Sequence, residues 1–180
     1  MSVHAFVDES RRGQRYLLVA ALVDPRDLGR TRKVLRALLL SGQHELHFKK
    51  ETPARRRLIV SRITATAVAV RVYSASCRQG EERARRECLS HLVADLMDLG
   101  GGRLVLDSRE VRDEHDRLTI RIAQGRQARD TGLVYEHVSS TQESLLWVAD
   151  AVAWCVGAGG DWQRRVQTVL AKVVDVSGSP

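Results

Sequence analysis

Eight consecutive residues without a charge, Tyr16–Val23 (YLLVAALV), constrain this chain more than any other feature. The run is far too short to cross a membrane as a helix. It is the length of a fully buried strand, for which about four to eight apolar residues suffice. Both faces of such a strand must be covered, which calls for a sheet between packed layers. Just upstream, Val3–Asp8 (VHAFVD) is an alternating apolar stretch that ends on a carboxylate. Arg11–Gln14 between them contains Gly13 and reads as a turn, so the two strands form a hairpin.

Strand and helix signals alternate along the rest of the chain. Asp24-Pro25 opens a helix that ends near Gly42, with Asp24 as N-cap and Pro25 in the first position. His44–Lys50 (HELHFKK) alternates and reads as a short strand, with Glu45 and His47 on one face and Leu46 and Phe48 on the other. Thr52-Pro53 starts a helix that runs to about Thr66, followed by a strand at Ala67–Ser74. Glu81–Leu99 is a long amphipathic helix stopped by Gly100-Gly101-Gly102, and Arg103–Asp107 is a strand ending on an acid. Val111–Arg129 is a charged helix and loop, Gly132–Val138 a strand, and Thr141–Val156 a helix with Thr141 near its N-cap. After the break at Gly157–Gly160, Asp161–Val176 reads as a last helix, with Val166, Val169, Leu170 and Val173 as an apolar stripe. The pattern is that of one α/β domain over residues 1–180 around a mixed sheet, with 161–180 as a C-terminal helical extension and tail.

Composition narrows the function. The chain carries 29 Lys and Arg against 22 Asp and Glu, a net +7, which suits a polyanionic partner. Only four of the basic residues are Lys, so part of that surplus is an arginine bias. Aromatic residues are 4% of the chain, which argues against a surface built mainly on stacked bases. The three cysteines, Cys77, Cys88 and Cys155, form no CxxC and suit a reducing cytoplasm. Asp8 and Glu9 interrupt the N-terminus where a secretory signal would be apolar. No segment is suited to span a membrane, so a cytoplasmic protein is expected. GxGxxG, GxxxxGK[ST] and GxSxG are all absent.

Three acids stand in places where acids are costly. Asp8 and Asp107 end apolar strands, and Asp150 is the only charge between Ser144 and Gly160. A buried carboxylate costs several kcal/mol unless it is neutralised, paired or bound to metal. Each has an ordinary alternative: a turn cap for Asp8, a helix cap for Asp107, an arginine partner for Asp150. Together they make the oxygen-donor set that Mg2+ or Mn2+ prefers. Two such ions can clamp the attacking and leaving oxygens of a phosphodiester. Glu45 is a further candidate ligand, and His47 a group to position phosphate or water. Glu9 faces away from Asp8 if the strand continues. His137 and Ser139-Ser140 lie where they could line the same cleft. Glu143, seven residues before Asp150, lies about two turns away on the same helix face and is a candidate peripheral ligand.

FVDES, YLLVAALV, HELHFKK, LVLDSRE and SSTQESLLWVADAVAW occur in an order and spacing that resembles the DUF3800 family over roughly residues 3–157. The resemblance implies an RNase H-like fold and metal-dependent nuclease chemistry. It carries Asp8 onto the first-strand acid, Glu45 onto the middle acid, Asp107 onto the later strand acid and Asp150 onto the closing-helix acid. Trp147 or its neighbour stands where the family has Gln. With HELHFKK counted as a strand, Asp107 ends the fifth strand, where the fold takes its acid from the fourth.

The expectation is therefore a Mg2+- or Mn2+-dependent nuclease. Asp8, Glu45, Asp107 and Asp150 are its catalytic and metal-binding residues, and Arg11, His47, Lys49 and Arg55 hold the RNA, DNA or hybrid substrate. A catalytically inactive RNase H-like module that binds nucleic acid or a protein partner is the alternative. A structural or assembly component that docks through the stripe of the Asp161–Val176 helix is a third reading, and a homo-oligomer is compatible with all three.

Overall fold

In the computed structural model, which describes residues 2–109, 111–125 and 132–177, the apolar run lies at the centre of a six-stranded mixed sheet. β1 (Val3–Arg12) and β2 (Arg15–Val23) form the antiparallel hairpin. Its turn is made at Gly13, whose φ of +58° is open to glycine without a Cβ penalty. β3 (Val68–Ser76) pairs antiparallel with β2, and β4 (Gly101–Asp107) pairs parallel with β1. β5 (Val134–Val138) and β6 (Leu170–Asp175) close the edges, parallel to β4 and β3. The order is β5-β4-β1-β2-β3-β6.

Side-chain alternation sends each strand's residues to two cores. Phe6, Leu17, Val19, Val72 and Val105 pack under α1 (Leu28–Arg36), α2 (Pro53–Thr64), α5 (Leu146–Ala158) and α6 (Gly160–Val166). Ala5, Val7, Leu18, Tyr73 and Leu106 pack on the other face against α3 (Glu81–Asp98) and α4 (Asp113–Gln124). Apolar on all sides at its middle, α5 crosses directly over β1 and β2. The Asp24 cap forms, accepting the Arg26 N–H at 2.9 Å, but α1 ends at Arg36, well short of Gly42. No described helix is long and apolar enough to cross a membrane.

Three expectations change. His44–Lys50 is no strand: it is a loop that ends in a single 3-10 turn, Phe48–Lys50. The sidedness survives, with Leu46 and Phe48 buried and His47 outward, but no strand lies alongside. Its backbone is satisfied by side chains instead. Phe48 N–H donates to Asp150 at 3.1 Å, and the Phe48 carbonyl accepts from Arg56 at 2.9 Å. With that segment removed from the count, Asp107 ends the fourth strand. The final helix is also shorter than expected. Asp161–Val176 divides into α6, a 3-10 turn and β6, because the free edge of β3 offers the valine-rich end a ladder. The expected helical extension is therefore an edge strand of the sheet, and residues 178–180 lie outside those described. So does the stretch 126–131 at the end of the expected Val111–Arg129 helix and loop.

Candidate active site

Asp8 and Asp107 are brought together by strand register. Val7 and Leu106 are partners across the parallel β1–β4 pair, so Asp8 and Asp107 are the next step along. Both project to the face that carries Phe6 and Val105, the one roofed by α5. The first half of α5 places Asp150 over them. Burial, reinforced by Asp150 and Asp107, pushes the Asp8 carboxyl up to about 8. Arg109, 3.6 Å away, and Arg85 pull it down but do not cancel the effect. Burial also raises Asp107, against Arg109 and the backbone N–H of Ser140, with Glu45 and Asp113 adding repulsion. Asp150 is raised by burial, against the Phe48 N–H and His47, with Asp107 and Glu45 adding repulsion. Four carboxylates from β1, β4, α5 and the loop before α2 thus act on one another.

Ser140 ties this group together, as its position after β5 suggested. Its backbone N–H lies near enough to Asp107 to favour the charged carboxylate, its hydroxyl donates to Glu45, and its carbonyl accepts Trp147 Nε1–H at 2.8 Å. Trp147, where the family resemblance expects Gln, therefore anchors the loop from α5. Glu45 also meets His47 Nε2 at 2.7 Å.

The other expected groups separate. Arg11 lies on the opposite face and pairs with Glu81 at 3.0 Å. Arg55 is held by Glu51 at 3.2 Å and donates to the Leu38 carbonyl at 2.7 Å, fastening a loop. Lys49 is exposed beside Phe48. Their neighbours Arg12 and Arg56 face the site side instead, because strand alternation and helical rotation turn adjacent residues apart. His137 is buried against Asp116 at 3.2 Å and does not join the cleft. Glu143 lies before α5 and binds Arg32 at 2.6 Å and the Leu145 N–H at 3.1 Å, a structural clasp. Glu9 faces away from Asp8 as expected, into Arg85, Arg109, Arg112 and the Tyr16 hydroxyl. Sequence reasoning missed Arg109. It stands two residues after Asp107 and meets Glu9 at 3.0 Å as well as approaching Asp8.

The donor chemistry of the four acids, all oxygen, suits a hard divalent cation. Asp8 near 8 marks a place where positive charge would be stabilising. Among the described residues, however, no three His, Cys, Asp or Glu side chains stand close enough together to hold a metal ion. The chemistry fits, and the spacing in this arrangement does not.

No protein-family model and no curated protein matches the sequence. Solved structures do. RNase HII of Archaeoglobus fulgidus, determined in complex with PCNA, aligns with 93% of this chain and 75% of its own, at TM-score 0.54 and 18% identity. Ribonuclease H2 of Pyrococcus horikoshii aligns with 92% and 74%, at TM-score 0.52 and 17% identity. Bst-RNase HIII, determined with Mn2+, aligns with 87% of this chain at TM-score 0.51 and 14% identity, and this chain spans 52% of its length. The DUF3800 resemblance rests on the quoted motifs alone. What the structural likenesses establish is architecture: this chain has an RNase H-like fold.

Proposed function

We propose that this protein is a divalent-metal-dependent nuclease that hydrolyses phosphodiester bonds of nucleic acid. The observation that carries the reading is the placement of Asp8 and Asp107 side by side on parallel strands, under Asp150. Asp8, Asp107, Asp150 and Glu45 would hold Mg2+ or Mn2+. Bound there, such ions would supply Lewis-acid activation of water and of the leaving group. The chain's own groups do the rest. Ser140 fixes Asp107 and Glu45 relative to each other. Phe48 N–H fixes Asp150. His47, held by Glu45 and half exposed, is placed to donate to a phosphate or orient a water. Arg109 offsets the charge on Asp8 and Glu9.

The test is cleavage of end-labelled RNA, DNA and hybrid in Mg2+ and in Mn2+, together with calorimetric titration of each ion. Cleavage that disappears in Asp8→Asn and Asp150→Asn supports the reading. That no three ligating side chains among the described residues stand close enough for a metal ion favours a second one, an inactive RNase H-like module. Nucleic-acid binding that survives Asp8→Asn, with no cleavage and no saturable ion binding by the native protein, would establish that instead.

A further inference from the structure

We propose that Arg12, Arg56 and Arg165, set on a frame of Phe48, Trp154 and Trp162, form a basic strip beside the acid cluster that grips the phosphodiester backbone of a nucleic-acid strand. The strip rests on the nuclease reading for its purpose and adds to it the surface along which a polymeric substrate would lie.

The frame is a cluster of three aromatic rings. Phe48 and Trp154 have centroids 5.4 Å apart, Trp154 and Trp162 5.4 Å, and Phe48 and Trp162 6.3 Å. Three of the chain's eight aromatic residues are therefore spent in one place, although the total is too small for a broad stacking surface. Guanidinium groups lie on these rings. Arg56 is 4.3 Å from the Trp154 centroid, Arg12 5.5 Å from it, and Arg165 5.9 Å from the Trp162 centroid. A ring face orients a guanidinium and leaves its N–H edge available to an anion.

The strip adjoins the acids. Phe48 donates to Asp150, and Trp154 follows Asp150 by four residues, on the same side of α5. Arg12 follows Asp8 by four residues on β1, on the same sheet face. It lies across α5 at Gly157, where an added Cβ would come within 3.0 Å of its Cγ. A side chain at that position would crowd Arg12 where it now lies.

Two of the three charges are not spent internally. Among the described residues neither Arg12 nor Arg56 has a carboxylate partner, whereas Arg165 pairs with Asp161 at 2.6 Å, Arg11 with Glu81 and Arg109 with Glu9. Arg56 donates to the backbone carbonyls of Phe48 and Lys49, which fixes its position without neutralising it. Exposed Lys49 and Lys50 continue the positive surface. Unneutralised guanidiniums held rigidly beside a cluster of acids complement a polyanion whose scissile phosphate must reach those acids.

Fluorescence anisotropy of full-length protein with a labelled 20-nucleotide RNA, the same sequence as DNA, and their hybrid tests this in EDTA, where binding is read without cleavage. The Arg12→Gln/Arg165→Gln variant should bind about tenfold more weakly, with a salt slope smaller by roughly 1.5. Arg78→Gln/Arg86→Gln, an equal charge loss beside α3, should leave affinity within about twofold. The three probes separate RNA from DNA as the source of the phosphates. Arg12→Gln alone, at an exposed position, guards against misfolding as the cause. Equal losses in the two double variants, or no loss in either, would overturn the strip. So would saturable binding to a polyglutamate-rich protein but to no nucleic acid. Strip-dependent binding without cleavage in Mn2+ would sink the nuclease reading and leave the strip. Cleavage with unaltered affinity in the Arg12→Gln/Arg165→Gln variant would sink only the strip.

Discussion

Phe48 donates its backbone N–H to Asp150 at 3.1 Å, across 102 positions of sequence. The bond joins the loop that carries Glu45 and His47 to the helix over the sheet. It offsets part of the cost of burying Asp150, since an N–H donor stabilises the charged form. It also seats the Phe48 ring against Trp154, one turn further along α5. One hydrogen bond thus connects the acid cluster to the aromatic frame.

The burial of Asp8, reinforced by Asp150 and Asp107, makes stability depend on pH. Asp8 titrates at about 8 in the folded protein and near 3.8 when unfolded. Between those values the folded state holds a proton that the unfolded chain has released. Stability therefore falls as pH rises through that window. Asp8→Asn removes the loss, so at pH 9 it should be more stable than the native chain, by about 1.4 kcal/mol for each unit by which the carboxyl is raised. Each such increment is roughly 4 °C in Tm for a chain of this size. At pH 4 the difference should vanish. Calorimetric melts at both pH values check it, and equal Tm values at pH 9 would disprove the raised carboxyl.

Ser140 offers a milder perturbation. Ser140→Ala keeps the N–H near Asp107 and the carbonyl to Trp147 but removes the hydroxyl from Glu45. Unfolding free energy should change by about 1 kcal/mol or less. If Glu45 serves the reaction, cleavage should fall several-fold more than stability explains. Parallel urea melts and nuclease assays measure the two effects separately.

Behind the other sheet face, Arg85 is 4% exposed. It makes a two-point contact to Asp116 at 2.8 and 2.7 Å and donates to the Tyr16 hydroxyl at 2.8 Å. Arg85→Ala would leave Asp116 buried without its main partner, at a cost of about 3–5 kcal/mol. Arg85→Lys should recover only part of this, because an ammonium cannot reproduce the fork. Adding Asp116→Asn to Arg85→Ala should restore stability in urea unfolding, since the stranded charge is gone.

The C-terminal strand covers the edge of β3. Val176 N–H donates to the Ser74 carbonyl at 2.8 Å, and Lys172 reaches Asp95 at 2.7 Å. Deleting residues 170–180 uncovers β3, whose ladder groups would then lack partners. The shortened chain should scatter light as aggregates at micromolar concentration, and Lys172→Ala should not. A monodisperse truncated protein would show that β6 is dispensable.

Much of this was legible in the sequence. YLLVAALV had to be a central strand, because only a sheet covered on both faces buries so uniform a run. Asp8, Asp107 and the lone acid of α5 were conspicuous for the same reason, each a charge beside an apolar run, although β1 continues past Asp8 to Arg12 and only Asp107 ends its strand. Local pattern could not settle HELHFKK. It alternates like a strand, yet a strand needs a ladder partner, and here the carboxylate of Asp150 and the guanidinium of Arg56 take the backbone groups instead. The last segment was ambiguous for a related reason. Its valines suit a helix stripe or an edge strand, and the free edge of β3 chose the strand.

The choice between neighbours was also out of reach. Arg11 and Arg12, or Arg55 and Arg56, are alike by composition. Which of each pair faces the acids depends on which sheet face α5 covers. The sequence by itself determined the strands, their buried faces and the acids set among them, because burying apolar surface dictates those locally. Tertiary structure alone decided that Asp8, Asp107, Asp150 and Glu45 come to one side of the sheet without closing to metal-holding distance, that Ser140 and Phe48 bond to members of the group, and that Arg12 and Arg56 stand on the same side. Those relationships join segments as far apart as Asp8 and Asp150, 142 positions, and only the packed sheet and its covering helix fix their register.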